Sequence, residues 1–197
     1  SLDSNYDLVV MQINRAIVLD AMDGKYVYSS ELYELIENIN RKMFLSYLRW
    51  SAEIIWAVAM LNYKTHNYQE SIFFFREYIS RFDEEKINKM RDSNNISPIL
   101  RAKIYIGYSF EKDEHFAEAI KLFHEIETEL DSDNELLIEI YHGLGHFYNE
   151  YAIFGKTDMN VEEKSQYISQ ARKYMLKALN AKADYYSCFG SLFHEYG

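Results

Sequence analysis

Along almost the whole chain, apolar or small side chains recur three and four positions apart. Ile104, Gly107, Tyr108 and Phe110 form one such series, and Ile120, Phe123 and Ile126 form another. That spacing keeps them on one stripe of an α-helix, with the polar residues turned away. No segment sustains a period of two, so the pattern predicts an all-α fold without strands.

The stripes also repeat. Between Ala102 and Ile126, a first helix carries Ile106-Gly107 and then Phe110. A polar turn follows at Lys112-Asp113-Glu114-His115, and a second helix carries Phe116, Ala119, Ile120, Phe123 and Ile126. Small residues such as Gly107 and Ala119 let two antiparallel helices approach closely, while the aromatics fill the space beside them. The preceding unit has Ala59 at the small position, then Asn67-Tyr68-Gln69-Glu70-Ser71-Ile72 and Phe75 as turn and second helix. The following unit has Leu144-Gly145 and Tyr148, then Ala171, Tyr174, Met175, Ala178 and Leu179. Between its two helices lies an insertion, about 153–164, with Gly155 and an expected helix cap at Thr157 or Asp158. Asp23-Gly24-Lys25-Tyr26 looks like the turn of a degenerate first unit, and Phe189-Gly190 with Phe193 reads as a last first-helix.

This arrangement resembles the tetratricopeptide repeat (TPR), which sets a small residue and an aromatic in helix A and an aromatic–small–aromatic series in helix B. The small positions Ala59, Gly107, Gly145 and Gly190 lie 48, 38 and 45 residues apart. The standard repeat is about 34 residues, so these units need longer helices or loops. The resemblance implies an α-solenoid, a TPR-like superhelix of antiparallel hairpins forming one domain over 1–197. Its units would run over about 1–50 (degenerate), 52–97, 98–135 and 136–182, with a half unit at 183–197. In the connector from Asp83 to Ser97, Glu84 to Met90 is expected to extend a helix and Arg91-Asp92-Ser93-Asn94-Asn95 to form a loop. Ser97-Pro98 should open the next helix, with proline near N1 where its missing N–H is harmless. The connector reads as a loop within the array rather than a domain boundary.

Composition narrows the role. The 197 residues hold 21 basic and 31 acidic side chains, a net charge of −10, which argues against a phosphate-binding surface and hence nucleic acid. One proline and seven glycines, with 48% hydrophobic content, describe an ordered helical chain rather than a disordered one. The longest apolar run, Ile54 to Leu61, is far short of the roughly 18 residues of a membrane span. The start lacks the marks of a signal peptide. A single cysteine cannot form an internal disulfide, so a cytoplasmic setting is expected. The absence of an initial methionine reads as an excised or processed fragment.

The resemblance also implies a concave groove lined by the A helices, the peptide-binding surface of the family. Placed on the repeat, the groove positions are Trp56, Met60 and Tyr63, then Arg101, Tyr105 and Tyr108, then His142, His146 and Asn149. The competing reading makes several of these aromatics core residues between long helices. A carboxylate clamp is not expected, because its positions hold Trp56, Met60, Tyr105 and Cys188. His142, His146 and Glu150 project from one helix face, but Gly143 stands where a metalloprotease needs glutamate, so no metal or cofactor is expected. Gly143-Leu144-Gly145 lacks the strand context of a phosphate loop, Cys188 has no assignable His partner, and catalysis is not expected. Glu84-Glu85, Glu125, Glu127, Glu129 and Glu162-Glu163 read as solvated faces.

The expected function is therefore a non-catalytic scaffold that binds a protein or peptide in an aromatic-lined groove. The alternative is the sensory domain of a bacterial peptide-responsive regulator, similar in architecture to the Rap and PlcR types, with its output domain elsewhere. A third expectation is homodimerisation through the incomplete last unit.

Overall fold

The computed structural model describes residues 52–81, 96–132, 134–155 and 159–181, and among these residues the regular structure is six α-helices and one π-turn. There is no strand among the described residues. The helices are α1 (Ala52–Lys64), α2 (Tyr68–Arg81), α3 (Pro98–Lys112), α4 (Phe116–Glu129), α5 (Leu136–Glu150) and α6 (Val161–Ala181). The π-turn, Tyr151–Gly155, follows α5 directly. The expected degenerate first unit, the connector residues 83–95, the caps at Thr157 and Asp158, Cys188 and the half unit 183–197 lie outside the described residues.

The chain divides into two compact units, Ser1–Ile87 and Asn88–Gly197. The division falls in the connector that the sequence pattern treats as a loop within one array.

Each of the first two hairpins turns in the same way. α1 ends with His66 at φ 66° and α3 with Glu114 at φ 61°, both left-handed. The next residue then bonds back across the helix end, Asn67 N–H to the Asn62 carbonyl at 2.9 Å and His115 N–H to the Phe110 carbonyl at 2.8 Å. These are Schellman closures, which satisfy carbonyls that the helix end leaves unpaired. The polar turn at 112–115 thus stops α3 where the pattern placed it. His66 and Glu114 stand 48 residues apart, the same interval as Ala59 and Gly107.

Capping sets the other boundaries. Ser97 Oγ accepts from Leu100 N–H at 3.1 Å, with Pro98 in the first turn, as its sequence predicts. Asn134 Oδ1 accepts from Leu136 N–H at 3.0 Å at the start of α5. For α6 the cap is Asn160. Its side chain accepts from Glu163 N–H at 2.9 Å, and Glu163 returns a carboxylate to Asn160 N–H at 3.1 Å. This reciprocal capping box places the cap of α6 two to three residues beyond the position expected from sequence.

In the first unit, α1 packs along α2 and buries Ile55, Val58, Ala59, Ile72, Phe74 and Phe75. In the second unit, successive helices pack in order, α3 on α4, α4 on α5 and α5 on α6. Phe123 of α4 sits at the centre, fully buried. Its ring meets Phe147 edge-on at 4.7 Å and Tyr108 at 5.4 Å, centroid to centroid. A Cβ on Gly107 would fall 2.3 Å from that ring, and one on Gly143 would fall 2.4 Å from its other edge. Helices α3 and α5 therefore both approach Phe123 through glycine. Farther along, Gly145 lets α5 approach Met175 and the Ala171 carbonyl of α6. Gly143 was not among the small positions that the repeat pattern marked.

Candidate functional site

Helices α3 and α5 run parallel, joined by side chains at both ends. Near their starts, Arg101 reaches Glu139 at 3.4 Å, and the Tyr108 hydroxyl donates to the other oxygen of Glu139 at 3.4 Å. Near their ends, His146 Nε2 lies 3.4 Å from Glu111. The shared face thus carries Arg101, Tyr105, Tyr108 and Glu111 from α3, with Glu139, His142, His146 and Glu150 from α5.

Of the residues expected to line a groove, Arg101, Tyr108 and His146 make the contacts between α3 and α5, and Tyr105 and His142 fall on the same helical stripes; all five are half-buried. Asn149, one turn beyond Gly145 on α5, is buried at 6% exposed. Trp56, Met60 and Tyr63 belong to the other unit and are half-buried there. Trp56 lies edge-on to Phe75 and Tyr78 of α2, both at 5.3 Å, which is a space-filling contact within the hairpin. Tyr63 meets Tyr68 at 6.1 Å across the turn.

The electrostatics of the α3–α5 face centre on Glu111, whose side chain is only 7% exposed. Burial alone would raise its carboxyl, but the hydrogen bond from His146 and the charges of Lys112 and His146 outweigh burial and hold it below its ordinary value. His146 is raised, chiefly by its hydrogen bond to Glu111, against the opposing effect of burial and with help from the Glu111 and Glu150 charges. His142, one turn earlier, is lowered by burial and by the charge of His146. Two histidines on one face are therefore driven in opposite directions.

His142, His146 and Glu150 do not converge on a point. His146 Nε2 is directed to Glu111, while its Nδ1 stands 4.0 Å from Glu150. Among the described residues, no three His, Cys, Asp or Glu side chains are grouped to hold a metal ion. No helix among the described residues is long and apolar enough to cross a membrane.

A second polar cluster, joining α4, α5 and α6, has no counterpart in the sequence reading. Glu127 accepts from Lys177 at 2.9 Å and from the Tyr174 hydroxyl at 3.3 Å, and lies 3.2 Å from His124 Nδ1. The other nitrogen of His124 stands 2.9 Å from the Tyr148 hydroxyl. Tyr148 and Tyr174 stack at 5.9 Å, and Lys177 sits 4.6 Å over Tyr141 and 4.7 Å over Tyr174. Burial opposes ionisation of Glu127, but the Lys177 hydrogen bond and charge, then His124, hold its carboxyl below the usual range. Burial and the nearby Glu127 charge push the Tyr174 phenol well above its ordinary value. Burial, Tyr167 and Glu127 raise Tyr148 as well. A phenol so raised stays protonated and serves as a hydrogen-bonding group, not a nucleophile. Glu127 is therefore a half-buried anchor between hairpins, where the sequence places it on a solvated face.

No protein-family model matches the chain, and no curated protein matches it.

Proposed function

We propose that the chain is a non-catalytic, TPR-like helical repeat domain that binds a peptide or a segment of a partner protein along the face shared by α3 and α5. The observation that carries this reading is the row of half-buried Arg101, Tyr105, Tyr108, His142 and His146 along two parallel helices. Tyrosine and histidine combine a flat apolar body with a polar tip, and arginine adds a fork of donors. Such side chains give contact area at low entropy cost and are over-represented where proteins bind one another. The TPR-like reading is further supported by hairpins in series, by small residues where helices cross, and by Phe123 of α4 inserted between α3 and α5. A cytoplasmic setting fits the single cysteine.

The test is affinity capture with the full chain, followed by binding measurements on the recovered partner. Tyr105→Ala and His142→Ala, each checked for native helicity by far-UV circular dichroism, should weaken binding at least about tenfold if these residues are central contacts. Folded variants that bind as tightly as the parent would place the interface elsewhere.

A further inference from the structure

We propose that His146 and Glu111 form a pH-sensitive strut between α3 and α5, holding the ends of the two helices together in mild acid and loosening them as His146 loses its proton. The proposal depends on the two helices alone, not on what their shared face binds.

Two cations lie within reach of the Glu111 carboxylate, and they do different things. Lys112 stands 3.2 Å away but belongs to the same helix, so it compensates charge without tying α3 to anything. Its side chain is 49% exposed, and water screens much of its effect. His146, at 3.4 Å, reaches from α5 and makes the contact between the helices. The carboxylate itself is 7% exposed, so it cannot recover its lost hydration when the contact weakens. The charged and titratable groups acting on His146 are Glu111 and Lys112 from α3, and His142 and Glu150 from α5.

The direction of the effect follows from linkage. Folding raises His146, so its contribution is complete below the ordinary imidazole value of 6.5 and is lost as pH rises through the raised midpoint. Folding lowers Glu111, so its contribution is complete above the ordinary carboxyl value of 4.5 and is lost only as acid protonates it. The strut is therefore fully engaged between these two ordinary values. Above the His146 midpoint a neutral imidazole can still donate one hydrogen bond, so the helix ends loosen without separating. Burial and the His146 charge shift His142 in the opposite direction, so it provides an internal control.

Hydrogen exchange on the full chain at pH 6 and pH 8, corrected for the intrinsic pH dependence of exchange, reads the opening of 107–115 and 143–150. Protection there should fall roughly twofold to fivefold at pH 8, the range for a partly exposed ion pair. The difference should vanish in His146→Gln and in Glu111→Gln, and persist in His142→Gln. In proton NMR titrations, the His146 midpoint should drop in Glu111→Gln, a readout that requires no change in stability. A pH difference surviving in folded His146→Gln, or a His146 midpoint unmoved by Glu111→Gln, would overturn the strut.

Discussion

Replacing Gly107 by alanine tests the packing of the second unit most directly. The added Cβ would lie 2.3 Å from Cε2 of Phe123. Ordinary carbon contacts sit at about 3.5–4.0 Å, so the ring must retreat by about 1 Å or more. It has no room to do so: Phe123 is 0% exposed, and its opposite edge already meets Gly143. Overpacking of this kind costs about 1–3 kcal/mol. Alanine recovers about 1 kcal/mol through its better helix propensity. The net expectation is a loss of about 1–2 kcal/mol when the cost lies in the upper part of that range. Urea unfolding followed by far-UV circular dichroism measures it. Both tryptophans, Trp50 and Trp56, belong to the first unit, so their fluorescence transition serves as an internal reference. In a Phe123→Leu background the same glycine change should cost at least about 0.5 kcal/mol less, because the clashing edge is gone. A raised midpoint in Gly107→Ala, or an equal cost in both backgrounds, would refute the account of Phe123 as a ring held between two glycines.

Three other outcomes follow from the structure. Glu114→Gly should raise stability by up to about 1 kcal/mol, because a left-handed φ of 61° strains any side chain, and thermal unfolding reads the gain. Asn62 is fully buried; its Nδ2 donates to the Val58 carbonyl at 2.8 Å, but its Oδ1 has no hydrogen-bond partner. Asn62→Leu should therefore stabilise the first unit by about 1 kcal/mol, seen as a later fluorescence transition, whereas Asn62→Asp should destabilise it. Folding raises the Tyr174 phenol, so its contribution is intact below the ordinary tyrosine value of 10.0 and is lost as pH rises above it. The stability of the chain should accordingly fall above that pH, and Tyr174→Phe should flatten the fall in urea titrations repeated from pH 8 to 11.

Local grammar made much of the fold legible. Ser97-Pro98 marked the start of α3, the charged turn at 112–115 marked its end, and Phe116, Phe123 and Phe75 were identifiable as core from spacing alone. Gly107 and Gly145 were readable because each sits beside an aromatic at the repeat interval. Gly143 was not, since its reason lies on α4, in the far edge of a ring that Gly107 already seemed to explain. The polar network was hidden for the same reason. Glu127 among Glu125 and Glu129 looks like a solvated run, and its partners Tyr174 and Lys177 lie 47 and 50 residues away. Glu111 carries no mark in the helical pattern, although the fold turns it inward toward His146. Spacing also does not report burial: Asn149 shares a helical stripe with His142 and His146, yet it is buried while they are half-buried.

The ring of Phe123 has a consequence for how the second unit comes apart. Three helices share it, so neither α3–α4 nor α5–α6 has a complete core of its own. A fragment ending at Leu130 would leave one edge of Phe123 in water and remove Phe147 from beside it. Cooperativity in this unit therefore spans both hairpins, so they should melt in one transition with a single denaturant dependence, instead of peeling off one repeat at a time.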